Sequence, residues 1–491
     1  MVGQFFRNAL FQVSLNVLVK GVYLFGVERV VQNTLPAGDY GLYFSLLGLG
    51  MLFQVIADFG LQLYNSRELS GHRHLLGKYF PYFLGTKLLL GLVFFVLLLG
   101  AGWWLGYRGA ELTLLVLAGL AQFANSLVLY LRSNLAGMGR FALDGWFSIL
   151  DKVLLIATVG GLLWFAPAEL TVLRFAALQF LSWGLTALLL FLALRQRLPR
   201  RLPRFRWPTV LLLLLRGGPF ALSVFLVVAY TKLDGVMIER LLPDGATAAS
   251  HYAAAYRLLD ALNIFGWLLA GLLLPMYARL YARGESLLPL LRFSVQLLLA
   301  GGLCAAIPLA TYRHEIVGAL YHFAEPRTGH ILLFLAGSFV AQCLNYAYGS
   351  LLSATGYIGQ MNGIFTLGIV LNLAGNWWAI HHYGAPGAAA VTFLTQAFVA
   401  ALQAVLAHRW LGLPGTAVAW WRLALLLSVL LVGAAVLRWP AMAPVWWLGL
   451  PVLAMLGAAA TLLLGLVDLR RLRELGADAG ARAVAKSSDG K

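Results

Sequence analysis

The chain has 491 residues, of which 61% are hydrophobic and only 11% are charged, whereas soluble globular domains carry about 25% charged residues. A surface with so few charged groups cannot lie mostly in water, which excludes a soluble enzyme or binding domain and indicates an integral membrane protein. The formal net charge of +17 would fit nucleic-acid binding, but the basic residues lie mainly in loops between apolar stretches, where they indicate membrane topology.

Apolar stretches of about 20 residues are long enough to cross a bilayer as helices, and fourteen of them follow one another along the chain. The first is predicted to be a retained span, because polar residues interrupt it and no small-residue signal-peptide cleavage site follows. The predicted spans are 9–28, 41–62, 80–105, 111–131, 145–166, 171–194, 219–242, 248–274, 287–311, 330–353, 361–381, 386–408, 417–437 and 445–467.

The connections alternate between the two sides of the membrane, and the basic residues are concentrated on one side. That side, with both termini, holds six arginines from Arg195 to Arg206, six basic residues from Arg470 to Lys491, and Arg7, Arg67, Arg73, Lys78, Arg132, Arg140, Arg279, Arg283 and Arg409. The opposite side holds only Arg29, Arg108, Arg240, Arg313, Arg327 and Arg438. Because cytoplasmic loops are enriched in Lys and Arg, both termini are predicted to be cytoplasmic.

Two features predict a division into lobes. The segment RQRLPRRLPRFRWP at 195–208 separates two long hydrophobic halves, as a cytoplasmic linker would. In addition, AQFAN at 121–125 recurs as AQCLN at 341–345, and LPAGDYGLY at 35–43 resembles LLPDGATAASHYAAAY at 241–256. Both pairs of similar segments occur in the same order and on the same side of the membrane, which indicates a parallel repeat of six helices.

The predicted fold is therefore an all-α polytopic membrane protein with two pseudo-symmetric six-helix lobes and a C-terminal helix pair. Its predicted parts are an N-lobe at 1–194, a basic cytoplasmic linker and interfacial segment at 195–218, a C-lobe at 219–411, the additional helix pair at 412–467 and a basic cytoplasmic tail at 468–491.

The first span carries a polar stripe. Asn8, Gln12, Asn16 and Lys20 recur every four residues and so share one helical face, which should avoid lipid. Lys20 is expected about 17 Å from the inner end of the helix, near the midplane. The stripe either forms hydrogen bonds with neighbouring helices or lines a binding cavity.

The seventh span, residues 219–242, contains Lys232 and Asp234 in its second half. The sequence Gly217–Gly218–Pro219 predicts a helix break, with the span starting at Pro219 and residues 210–216 lying along the interface. Lys232 and Asp234 project about 200° apart, so each needs its own partner.

The eighth span offers a partner for Asp234. Arg257 and Asp260 lie three residues apart on one helical face, and Arg257 is expected at the depth of Asp234. The hypothesis is that Asp234 faces an aqueous cavity and is balanced by Arg257, and the alternative is a purely structural ion pair. Asp234 and Asp260 would either couple transport through protonation or hold the cations apart.

Further charges lie nearer the inner side. Lys87, Asp151 and Lys152 are expected about 10 Å inside the membrane. Together with Lys20, Lys232 and Arg257 these lysines form a series of cations that an anionic passenger would explain. The alternatives are that Lys87 reaches the interface with its long side chain and that Lys152 pairs with a neighbouring carboxylate.

Motifs of common enzyme chemistry do not occur: the sequence has no P-loop, Cys-x-x-Cys or His-Glu-x-x-His. Cys304 and Cys343 fall in apolar stretches and are predicted to be packing residues. No catalytic residue, metal site or resident cofactor is therefore expected. Without an ATP site, movement of a passenger would depend on an H⁺ or Na⁺ gradient or on the passenger's own concentration difference.

Four stretches resemble the polysaccharide and O-antigen flippases of the multidrug/oligosaccharidyl-lipid/polysaccharide exporter superfamily. They are LPAGDYGLYFSLLGLGMLFQVIADFGL at 35–61, SNLAGMGRF at 133–141, PFALSVFLVVAYTKLDGVMI at 219–238 and HYAAAYRLLDAL at 251–262. The resemblance covers most of residues 1–411, although its motifs are diffuse and apolar. It implies two six-helix lobes around a central cavity that opens alternately to each side.

By this resemblance the passenger would be an undecaprenyl-diphosphate-linked oligosaccharide, moved to the outer leaflet of a bacterial inner membrane. Membrane lipids, a polysaccharide polymerase and glycosyltransferases would be its partners, and nucleic acid would not. Its diphosphate and sugars would bind Lys20, Arg257, Lys152, Lys87 and Asn16, whereas Asp234, Asp260, Lys232 and Asp151 would serve in coupling or ion pairs.

Three alternatives stay open. A drug or metabolite antiporter of the same superfamily would predict an excess of carboxylates in the cavity, because its passengers are cationic. A lipid-linked peptidoglycan precursor flippase would also have fourteen spans and a basic cavity. A membrane-embedded polymerase or ligase is disfavoured by the short outer loops, the longest of which is 312–329.

Overall fold

A computed structural model describes residues 15–62, 76–138, 140–195, 206–414, 418–439 and 445–466. Across these ranges the chain forms helices joined by short connections and contains no β-strand. The helices are α1 at 15–34, α2 at Ala37–Asp58, α3 at Leu76–Trp104, α4 at Gly109–Gly137, α5 at Phe141–Phe165, α6 at Val172–Arg195, α7 at Trp207–Leu241, α8 at Gly245–Ala282, α9 at Leu288–Thr311, α10 at Arg313–Leu320, α11 at Pro326–Ala354, α12 at 358–383, α13 at 385–410, α14 at Trp420–Leu437 and α15 at Trp446–Leu463.

The all-α polytopic fold predicted from the sequence is confirmed. In the described ranges, twelve helical segments are long and apolar enough to cross a membrane. One of them, Ile358–Trp410, contains two predicted spans and is divided at Gly384, where φ is 63° and ψ is −147°. The short helix α10 was not predicted, and each of the other helices corresponds to one predicted span. The protein is a multi-pass membrane protein.

Helix α7 differs from the expectation at its start. We predicted a break at Gly217–Pro219, but α7 is continuous from Trp207 to Leu241. The glycine serves close packing: a Cβ on Gly217 would lie 2.5 Å from the carbonyl oxygen of Phe59. A proline inside a membrane helix is tolerated when neighbouring groups compensate for the lost hydrogen bond.

The first compact unit contains the described residues up to Ala253, together with Asn376–Gly384. Within it, α2 packs against α3, α4 and α7. Small residues bring the backbones of α2 and α7 together: the Ser45 hydroxyl donates to the Gly235 carbonyl at 2.8 Å, and a Cβ on Gly48 would lie 2.9 Å from the Lys232 carbonyl oxygen. Such small residues are typical of helix interfaces inside membranes.

The second compact unit contains Ala254–Gly375 and the described residues from Ala385 to Leu466. Its helix α9 packs against α11, α14 and α15. Cys304 and Cys343 are free thiols, and their sulfur atoms lie over Gly457 and Gly302 respectively. Both cysteines therefore have the packing environment that the sequence predicted.

The lobe boundaries predicted at 1–194 and 219–411 stay predictions. In the compact units, α7 and the first turns of α8 are grouped with α1 to α6. The arginine-rich residues 196–205 and the tail 468–491 lie outside the described residues.

Candidate functional site

Charged and aromatic side chains meet in the first compact unit where α1, α4, α5 and α6 lie close together. We call this group the cation cluster. Its members are Lys20, Tyr23, Arg132, Asp144, Asp151, Lys152 and Trp183.

Helix α1 brings Asn16 and Lys20, both half-buried, to this region. The Asn16 side-chain amide donates to the Ser148 hydroxyl at 2.7 Å and so joins α1 to α5. Two residues after Lys20 a π-helix begins, Val22–Glu28, a form that is frequent at functional sites. The polar stripe thus meets α5 at Asn16, while Asn8 and Gln12 lie outside the described residues.

Lys152 on α5 lies between two aromatic rings. Its ammonium nitrogen is 4.8 Å from the ring centroid of Tyr23 on α1 and 5.0 Å from that of Trp183 on α6. Asp151 accepts a hydrogen bond from the Trp183 indole at 2.7 Å, and the same oxygen is 3.2 Å from the Lys152 nitrogen. Lys152 is therefore held by ring faces as well as by its neighbouring carboxylate.

The cation cluster has more positive than negative groups. Arg132 on α4 pairs with both carboxylate oxygens of Asp144, at 2.7 and 3.2 Å, and Lys152 pairs with Asp151. Lys20 interacts electrostatically with Lys152, Asp151 and Arg132, but within the described part of the chain it forms no ion pair of its own. Three cations thus face two carboxylates, which favours binding of an anion at Lys20 and Lys152.

Lys87 lies away from the cation cluster and is completely buried. Its ammonium donates to Asp58 at 2.8 Å and to the Ser126 hydroxyl at 2.6 Å. This geometry gives Lys87 a structural ion pair that joins α3 to α2 and α4. The predicted contact with a passenger stays a prediction, and the burial of Lys87 disfavours it.

Asp234 is also completely buried. One carboxylate oxygen accepts a hydrogen bond from the Tyr252 hydroxyl and the other from the Asn376 side chain, each at 2.7 Å. These bonds connect α7 with α8 and α12 inside the first compact unit. Lys232, two residues earlier, is half-buried, and its coupling role stays a prediction.

Arg257 and Asp260 belong to the second compact unit. As their spacing predicted, they share a face of α8, and their side chains approach to 3.4 Å. The Tyr346 hydroxyl donates to Asn263 at 3.2 Å one turn further along the same helix. The predicted partnership of Asp234 with Arg257 stays a prediction.

Four of the predicted site residues therefore come together, namely Asn16, Lys20, Asp151 and Lys152. Sequence reasoning missed Ser148, Asp144 and Trp183, because no local pattern shows which residues of α5 and α6 face α1. Spacing held a partial signal, since Ser148, Asp151 and Lys152 are three and four residues apart and share a face of α5. In the described ranges, no group of three or more His, Cys, Asp or Glu residues is placed to hold a metal ion.

Solved structures show the class of protein to which this fold belongs. The chain is similar to the lipid II flippase MurJ in an inward closed conformation, with a TM-score of 0.58 and 13% identity, over 96% of this chain and 99% of that one. It is similar to an inward-facing multidrug resistance MATE family transporter of the MOP superfamily, with a TM-score of 0.58 and 14% identity, over 81% and 98% of the two chains. The Vibrio cholerae MATE transporter VcmN gives a TM-score of 0.55 and 15% identity, over 85% and 97%.

The fold is that of transporters of the MOP superfamily, with charged groups embedded among its helices. Residues 5–281, more than half of the chain, match a family described as polysaccharide biosynthesis protein. The chain belongs to this family. A search of curated protein sequences finds no significant match.

Proposed function

We propose that this protein is an alternating-access transporter that flips an undecaprenyl-diphosphate-linked oligosaccharide from the cytoplasmic to the outer leaflet. The passenger would serve the assembly of a cell-surface polysaccharide such as O-antigen, capsule or exopolysaccharide. The observation that carries the proposal is the cation cluster, in which Lys20 has no carboxylate partner of its own within the described residues.

The chemistry of a diphosphate fits this cluster. An ammonium group inside a membrane is costly unless an anion or hydrogen-bonding groups replace its lost hydration. A diphosphate provides concentrated negative charge for Lys20 and Lys152, while its polyprenyl tail remains in the bilayer. A cationic drug would meet three cations and two carboxylates in this cluster, which disfavours the antiporter alternative.

The remaining parts of the proposal extend the predictions made from the sequence. The protein would lie in the bacterial inner membrane with both termini in the cytoplasm, and it would transport without chemical conversion of its passenger. An H⁺ or Na⁺ gradient, or the passenger's own concentration difference, would drive the cycle. Glycosyltransferases would deliver the passenger, and a polysaccharide polymerase would receive it.

A second candidate is flipping of a lipid-linked peptidoglycan precursor. The similarity to the lipid II flippase covers 96% of this chain, whereas the similarity to the drug transporters covers 81% and 85%. Both lipid-linked passengers carry a diphosphate, so the cation cluster fits either of them.

Complementation tests the proposal. In cells that lack the native polysaccharide flippase, undecaprenyl-linked repeat units should accumulate on the inner leaflet, and this chain should relieve the accumulation. Lys20→Gln and Lys152→Gln should each lower flipping about tenfold or more, because a hydrogen bond to a charged group contributes about 1.5 to 3 kcal/mol. Arg174→Gln is the matched control, since Arg174 is exposed in the first turn of α6 and pairs with Glu169.

The outcomes separate the candidates. Rescue of cells depleted of their peptidoglycan precursor flippase, without relief of the repeat-unit accumulation, would favour the second candidate. Drug hypersensitivity as the only phenotype would contradict both. Full activity of the Lys20→Gln and Lys152→Gln variants would contradict the anion site.

A further inference from the structure

We propose that Trp183 is a positioning residue of the cation cluster: it holds Asp151 so that this carboxylate does not neutralise Lys152, and it thereby leaves Lys152 available to the phosphate groups of the passenger. This inference rests on the proposed function and assigns a role to a residue that does not itself carry charge.

One carboxylate oxygen of Asp151 lies close to both Trp183 and Lys152. Oδ2 of Asp151 accepts a hydrogen bond from the Trp183 indole N–H at 2.7 Å and lies 3.2 Å from the Lys152 ammonium nitrogen. Ammonium-to-carboxylate hydrogen bonds usually measure about 2.7 to 2.9 Å and are stronger than bonds from neutral donors. Here the order is inverted, because the neutral indole forms the short bond and the ion pair is long.

Two aromatic rings hold the Lys152 ammonium, which forms only a long ion pair with Asp151. This ammonium lies over the faces of Tyr23 and Trp183, at 4.8 and 5.0 Å from the ring centroids. A ring face carries only partial negative charge, so it attracts a cation more weakly than a carboxylate does. An incoming phosphate can therefore replace the rings as the partner of Lys152 without first breaking a strong ion pair.

Trp183 itself is nearly inaccessible to a ligand. Trp183 and Tyr23 are each only 6% exposed, whereas the side chains of Lys152 and Asp151 are 18% and 13% exposed. Lys152 is therefore the more accessible group to a ligand. Trp183, on α6, binds the Asp151 carboxylate through its indole N–H and contacts the Lys152 ammonium through its ring face.

The test is a binding measurement on the full-length protein in detergent, with farnesyl diphosphate as the probe and farnesol as the uncharged control. Trp183→Phe keeps a ring face but removes the indole N–H, so Asp151 is released to pair closely with Lys152. We expect farnesyl diphosphate to bind this variant about tenfold more weakly, as expected for a lost hydrogen bond to a charged group. Farnesol binding and the thermal unfolding midpoint should not change.

The decisive variant is the double substitution Trp183→Phe with Asp151→Asn. If Trp183 acts by restraining Asp151, removal of the competing carboxylate should return the Kd for farnesyl diphosphate to the wild-type value. Tyr107→Phe is the matched control, because it removes another aromatic donor to a carboxylate, the 2.8 Å bond to Glu239, away from the cation cluster. This control should bind farnesyl diphosphate like the wild type.

Two results would overturn the inference: wild-type binding by Trp183→Phe, or a double variant that binds as weakly as Trp183→Phe alone. If Trp183→Phe does not fold, Asp151→Asn alone decides, since the inference requires it to bind the probe at least as tightly as the wild type. The proposed function fails separately, when Lys20→Gln and Lys152→Gln leave diphosphate binding unchanged. If these lysine variants weaken binding while Trp183→Phe does not, only the role of Trp183 is contradicted.

Discussion

Lys87 and Asp58 show how a charge pair is kept among membrane helices at the residue scale. The Lys87 side chain is 0% exposed, whereas that of Asp58 is 27% exposed at the end of α2. Without its partner, Asp58 can still be hydrated by solvent or headgroups, because its side chain is partly exposed. Without its partner, Lys87 would remain a buried charge.

This asymmetry gives a stability prediction. Asp58→Asn leaves an uncompensated buried ammonium and should destabilise the protein by about 3 to 5 kcal/mol. Lys87→Met should cost less, because the remaining carboxylate is partly hydrated. Equilibrium unfolding in detergent measures both effects. The double variant, Asp58→Asn with Lys87→Met, should lose less free energy of unfolding than the sum of the two single variants. If the two losses simply add, Lys87 and Asp58 do not act as a structural pair.

Individual charges were easier to predict from the sequence than their partners. Lys20, Asp151 and Lys152 stand out because charged residues are rare inside apolar spans. Trp183 and Asp144 do not stand out, since tryptophan is common in membrane helices and Asp144 lies at the start of a span near a loop. Their roles depend on which faces of α5 and α6 meet α1 and α4, and only tertiary packing fixes those faces.

At the element scale, the contact between α2 and α7 depends on residues with little or no side chain. Gly48 lies where a Cβ would approach the Lys232 carbonyl oxygen to 2.9 Å, and Ser45 donates a hydrogen bond to Gly235 on α7. The backbones of the two helices are therefore close enough that a larger residue must push them apart.

Gly48→Val should consequently destabilise the protein by about 1 to 3 kcal/mol, the usual cost of overpacking a filled interface. The thermal unfolding midpoint in detergent reports the effect. Gly161→Ala on α5 is the matched control, because a Cβ there meets no atom within 4 Å. An equal drop for both variants would show that loss of glycine itself, and not helix contact, is responsible.

Local sequence signals predicted the helices but not every helix boundary. Span lengths and hydropathy predicted the membrane helices in their correct order, because each crossing needs its own long apolar stretch. The triplet Gly217–Pro219 looked like a helix stop, yet α7 continues through it. The glycine there meets the backbone at Phe59 across the helix interface, which a local reading does not reveal.

At the scale of the whole molecule, the predicted topology puts the α8–α9 connection in the cytoplasm and the α10–α11 connection outside. Glu285 and Glu325 are exposed carboxylates, one in each connection. They are matched positions for an accessibility test, since both are loop residues of the same type.

In a variant with Cys304 and Cys343 replaced by alanine, Glu325→Cys should react with a membrane-impermeant maleimide in intact cells. Glu285→Cys should react only after the cells are permeabilised, because the positive-inside bias places it in the cytoplasm. Mass spectrometry of the purified protein measures the labelling. The reverse pattern would invert the assigned orientation, and labelling of both sites in intact cells would contradict the span count.

The π-helical segment of α1 has a geometric consequence for Lys20. Its turns close over five residues where an α-helix closes over four, so α1 holds surplus chain for its length between Val22 and Glu28. Beyond it, the Gln32 amide is anchored on the Ser250 carbonyl at 3.0 Å. If the same seven residues wound as a regular α-helix, each would turn about 100° about the axis, which is more than in a π-helix. Asn16 and Lys20 would then be rotated relative to Gln32, so the direction of the Lys20 ammonium depends on how tightly this segment winds.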